Sequence, residues 1–126
     1  MSLRQAFEAE HARREAERRA REDAERQQQE ADLARAQELY DLLAADQAFL
    51  GEKGVSLQMS ATRFTVMLDH PDYRIQAYFE GGGIEVRSAD KRSASTPTAA
   101  PRKHQSVDTV ADAVLVIAQF LADETR

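Results

Sequence analysis

Residues 55–87 read VSLQMSATRFTVMLDHPDYRIQAYFEGGGIEVR, and apolar side chains fall on every second position through most of that run. Val55, Leu57 and Met59 alternate with Ser56, Gln58 and Ser60, and Phe64, Val66 and Leu68 alternate with Arg63, Thr65 and Met67. Tyr73, Ile75, Ala77 and Phe79 alternate with Arg74, Gln76, Tyr78 and Glu80, while Ile84 and Val86 alternate with Glu85 and Arg87. A period of two sends successive side chains to opposite faces, so this stretch predicts four strands, each with one apolar face. The links Ala61-Thr62, Asp69-His70-Pro71-Asp72 and Gly81-Gly82-Gly83 are short, which favours an antiparallel meander. With helices on one side only, the second face of such a sheet can stay wet.

Upstream the pattern changes. Residues 3–50 contain neither Gly nor Pro and are rich in Ala, Glu, Arg, Gln and Leu. These are strong helix formers, so one long helix is expected, ended by Gly51 and Gly54. Downstream, residues 89–105 are rich in Ser, Ala, Thr, Pro and basic groups and read as a mobile basic loop. Ser106 is then expected to cap a last helix carrying Val107, Val110, Val114, Leu115, Val116, Ile117, Phe120 and Leu121, with Asp108 in its first turn. The predicted fold class is α+β: a long N-terminal helix, a four-stranded antiparallel meander and a C-terminal helix. The helices are expected to share one sheet face.

The long helix has two stripes. On a helical wheel Ala6, Ala9, Ala12, Ala16, Ala20, Ala24, Ala31 and Ala34 gather on one side, and Leu42, Ala45 and Phe49 continue it. Ala36, Leu39, Tyr40, Leu43 and Leu50 lie on a different face, and Arg14, Arg18 and Arg21 oppose the alanines. Two apolar stripes need two partners: the sheet of the same chain and something else. Residues 1–30 therefore read as a projecting charged arm and 31–126 as the α+β domain. Glu10–Arg14, Glu15–Arg19, Glu17–Arg21 and Glu22–Arg26 are i,i+4 pairs in the favourable order, each worth about 0.2–0.5 kcal/mol, and would hold the arm helical in water.

Composition limits the chemistry. The 126 residues suffice for one ordinary domain, and 17 Lys and Arg against 22 Asp and Glu give a net charge of −5, which argues against a basic nucleic-acid coat protein. There is no Cys, so disulfides, thiolate metal sites and thiol nucleophiles are excluded. No apolar run is long enough to span a membrane, and Met1-Ser2-Leu3-Arg4 does not open a secretory signal, so a cytoplasmic protein is expected. The mostly alanine apolar face of the long helix also suits a membrane surface poorly. His11, His70 and His104 stand on a solvated helix, a turn and a loop, and Asp69-His70-Pro71-Asp72 reads as a turn rather than an acid–base cluster. Gly81-Gly82-Gly83 leads into another strand and not into a helix, unlike a phosphate loop. No enzyme, metal or cofactor is expected.

What remains is binding. The expected function is a non-catalytic interaction, adaptor or regulatory module, homodimeric through its two helices, with Ala16, Ala20, Ala24, Leu42, Phe49, Leu115 and Phe120 at the interface. The alternative is a small nucleic-acid-associated protein using the open sheet face and basic loop, with Arg63, Arg74, Tyr78, Arg87, Arg102 and Lys103 as contacts. Residues 1–30 hold seven Arg and eight acids, so the arm itself would steer weakly toward DNA.

Overall fold

The computed structural model describes residues 1–92 and 100–125. The α+β class stands, with one strand more than expected. Helix α1 runs Leu3–Ala44 and a short α2 runs Gln47–Glu52. Five strands follow: β1 (Ser56–Ser60), β2 (Thr65–Asp69), β3 (Tyr73–Glu80), β4 (Gly83–Asp90) and β5 (Ala100–Val107). Helix α3 (Val110–Glu124) closes the chain. The sheet order is β1-β2-β3-β4-β5, antiparallel throughout, with short links joining β1 to β4.

The register turns the alternation of the sequence into two faces. Leu57 opposes Leu68, which opposes Ile75, and Met59 opposes Val66, which opposes Ala77 and then Val86. These residues line the inner face, where α1 and α3 lie side by side. Ala36, Leu39, Leu43 and Leu50 from the first two helices are buried there with Val110, Ala113, Val116, Ile117, Phe120 and Leu121 from α3. Each large side chain so buried stabilises the fold by roughly 1.5–3 kcal/mol.

Three expectations need correction. The loop expected over residues 89–105 is strand at both ends: β4 continues to Asp90 and β5 occupies Ala100–Val107, while residues 93–99 lie outside the described residues. β5 is an edge strand, so Lys103, His104, Gln105 and Ser106 stay exposed and leave no apolar period to read. Pro101 is tolerated because an edge strand has one wet side, and the register shifts at Ser88/Ala89 beside it. Second, Ser106 does not cap α3, because it pairs with Glu85 within the sheet. Thr109 is the cap, its side chain accepting from the Asp112 N–H at 3.1 Å, and Asp112 supplies the first-turn acid. Third, the long helix does not run unbroken to Gly51. It turns at Ala45-Asp46, and α2 then drops Leu50 into the core while Phe49 stays out.

Two turns show why their residues are there. Gly81 and Gly82 have φ of 59° and 85°, the left-handed backbone that a tight two-residue hairpin needs. Phe64 has φ 52°, unusual for a bulky residue, in the turn before β2. Its carbonyl accepts from the Phe79 N–H at 3.0 Å and its ring packs against the core, and these contacts hold the strained backbone.

Candidate protein-interaction surface

The first thirty-one residues contain no buried side chain, and the first buried position of α1 is Asp32. Among the described residues, the side-chain hydrogen bonds and ion pairs of residues 2–26 reach no farther than four positions along the same helix. At 1.5 Å per residue, roughly 30 Å of α1 stands clear of the body. The arm carries its own support. Ser2 forms a capping box with Gln5, and Arg13 bridges Glu10 and Glu17. Of the expected i,i+4 pairs, Glu10–Arg14 closes at 2.9 Å, whereas Glu15 pairs with Arg18 and Arg26 with Asp23 at three-residue spacing. Hydrogen bonds from Arg13 and Arg14 lower the Glu10 carboxyl to a pKa of about 2.

Ala16, Ala20 and Ala24 are exposed on this arm. On the body, Leu42 is 48% exposed and Phe49 46%. Lys53 lies over the Phe49 ring at 5.8 Å. On α3, Leu115 is 60% exposed, and the exposed Ala111, Ala118 and Ala122 share its side of the helix. Phe120 is a correction: it is 7% exposed and belongs to the core, with Lys103 over its ring, so it is not free to meet a partner.

The junction between arm and body is a polar clamp that the sequence reading missed. The buried carboxylate of Asp32 accepts from the Gly81 and Gly82 N–H groups, each at 3.0 Å, and from Gln28 Nε2 at 3.0 Å. One turn later, Arg35 donates to the carbonyls of Gly82 and Asp108. A single turn of α1 thus grips the β3–β4 turn and the start of α3. The available signal was an acid on the stripe of Ala36, Leu39 and Leu43, where the pattern calls for an apolar residue.

No family model, curated protein or solved structure matches the chain. Function must therefore be argued from surfaces.

The open sheet face carries three of the expected nucleic-acid contacts, and the turn between β1 and β2 carries another. Arg63 is exposed in that turn and closes no ion pair among the described residues. Arg74 pairs with Asp69 at 3.3 Å. Arg87 makes two 3.0 Å hydrogen bonds to Glu85 and lies 4.9 Å from the centre of the Tyr78 ring. Tyr78 donates its hydroxyl to Gln76 at 2.7 Å. Lys103, on the inner face of β5, pairs with Asp123, and the side chain of Arg102 lies outside the described residues. A shallow cleft of about 300 Å³ lies between Arg63, Met67, Gln76 and Tyr78. Carboxylates thus neutralise most of the cations that a phosphate backbone would need.

Asp69 also links structure to pH. Burial pushes its carboxyl upward, but hydrogen bonds from Lys91 and Arg74 outweigh burial and hold it below the usual carboxylate range. A lowered folded-state value adds stability above the unfolded pKa of about 3.9, and that stability is lost as pH falls through the folded value. Asp69→Asn is therefore expected to cost about 1 kcal/mol at neutral pH, with the gap to the parent closing below about pH 4. Urea unfolding across pH checks this, and a gap that widens on acidification would contradict it.

Elsewhere the titratable groups are dispersed. His11 stacks on Phe7 at 5.9 Å, and His70 stacks on Tyr73 at 4.4 Å and accepts from the Asp72 N–H. His104 lies 3.9 Å from Glu85 at the sheet edge. Among the described residues no three His, Asp or Glu side chains converge as metal ligands would, and no helix is long and apolar enough to cross a membrane.

Proposed function

We propose that the protein is a non-catalytic interaction module, adaptor or regulatory in kind, acting in the cytoplasm as a homodimer whose arm and outer helix surfaces form the interfaces. The observation that carries this reading is the arm: a helix stabilised by its own salt bridges, extended well past the core and apolar along one side. A side chain left in water contributes no burial free energy, so a long exposed helix with an alanine face gains most by lying against a second helix. The exposed Leu42, Phe49 and Leu115 on the body extend the surface available to a partner.

Hydrogen exchange tests the arm directly. Backbone amides of residues 6–30 should be protected in concentrated solution and should exchange faster on dilution, as a paired helix dissociates. Exchange that is equally fast at every concentration would contradict self-association through the arm. Nucleic-acid binding is the second reading, and the free Arg63 beside Tyr78 and the sheet-face cleft is its best support.

A further inference from the structure

We infer that two copies pair their arms antiparallel, with the two-fold axis passing at Ala20. This rests on the dimeric reading above and adds a direction and a register to it. The alanines are nearly palindromic about that residue. Ala16 and Ala24 lie four positions either side of it, Ala9 and Ala31 eleven, and Ala6 and Ala34 fourteen. Each alanine of the exposed stripe from Ala6 to Ala34 thus meets an alanine of the other copy, except Ala12, which meets Gln28. Small side chains on both sides let the helices approach closely.

Alanines alone would fit either direction, and charge decides between them. Residues 3–21 hold six arginines against four glutamates, a balance of +2. Residues 22–44 hold two arginines against seven acids, a balance of −5. Parallel pairing sets acidic half on acidic half, whereas antiparallel pairing sets the basic half of each helix on the acidic half of the other. The order does not serve a lone helix, whose dipole favours acids at the start and bases at the end. α1 has no acid in its first turn and no base in its last.

The residues nearest the axis agree. Arg19 and Arg21 are exposed and close no salt bridge among the described residues, although arginines nearby at 13, 14, 18 and 26 do. In the antiparallel register they flank the alanine stripe on opposite sides. Arg21 approaches Glu17 of the second copy, and Arg19 approaches its Asp23. The axis repeats both pairs, giving four cross-helix ion pairs around Ala20.

Because the chain has no cysteine, single substitutions report without interference. Ala6→Cys, Ala20→Cys and Ala34→Cys are made in the full chain, oxidised alone and in mixtures, and examined alongside sedimentation. Antiparallel pairing predicts that A20C links to itself, that A6C and A34C link only when mixed, and that neither links to itself. In that arrangement two A6C residues are roughly 40 Å apart, counting 28 residues at 1.5 Å each. Self-linked A6C would overturn the inference while leaving the dimer intact. A sedimenting dimer in which none of the three links forms would overturn it too, placing the interface on the body. A chain that sediments as a monomer removes the dimeric reading itself.

Discussion

Asp32→Ala is expected to lower the unfolding free energy by about 2–3 kcal/mol, the largest effect of any polar substitution in the molecule. The carboxylate satisfies two consecutive N–H groups of the β3–β4 turn and the amide of Gln28, all at 3.0 Å. Removing it leaves the glycine donors to water at a site where Asp32 is 4% exposed. Asp32→Asn keeps one acceptor oxygen but sets an N–H₂ against a backbone donor, so about half of the loss should remain. Gln37→Ala, on the exposed side of the same helix, should stay within about 0.5 kcal/mol of the parent. Urea denaturation at one fixed protein concentration makes the comparison, since a dimer's stability depends on concentration. An Asp32→Ala protein as stable as the parent would show that the clamp is incidental.

Removing residues 1–30 is expected to abolish self-association while leaving the body folded. Among the described residues the buried apolar core runs from Ala36 to Leu121, so the shortened chain keeps it. It loses the Gln28 hydrogen bond to Asp32, which should cost no more than about 1 kcal/mol. Circular dichroism should show reduced helix content with a cooperative melt close to that of the intact chain measured at high dilution. A shortened chain that remains dimeric would move the interface onto Leu42, Phe49 and Leu115. One that fails to fold would refute the division into arm and body.

Much of this architecture is legible in the residues themselves. Strands β1 to β4 announce themselves because each turns one face to the core, fully buried in β2 to β4 and partly buried at Leu57 and Met59 of β1, and that leaves a period of two in the sequence. β5 leaves no such trace: Gln105 and Lys103 occupy inward register positions but stay exposed, and Lys103 reaches Asp123 at the rim of α3, so nothing selects apolar residues there. The break at Ala45-Asp46 is equally silent, having neither Gly nor Pro. The thirteen residues from Asp32 to Ala44, which carry the buried stripe of α1, span about 20 Å before the break. The exposure of Leu42, Phe49 and Leu115 was readable, because each stands among small side chains on a face separate from the main apolar stripe of its helix. Phe120 was misassigned, because on a helix apolar nearly all round, composition does not say which side meets the sheet. Asp32 and Arg35 escaped notice because their partners are backbone atoms, which no sequence pattern marks.

A second copy of the chain, on the proposal above, covers the outward apolar side of α1. Sedimentation equilibrium of the intact protein at micromolar concentration tests it most directly. A mass of twice the 14.1 kDa chain, falling toward one chain on dilution, is expected. A single species at the mass of one chain throughout that range, with the arm still helical, would contradict it.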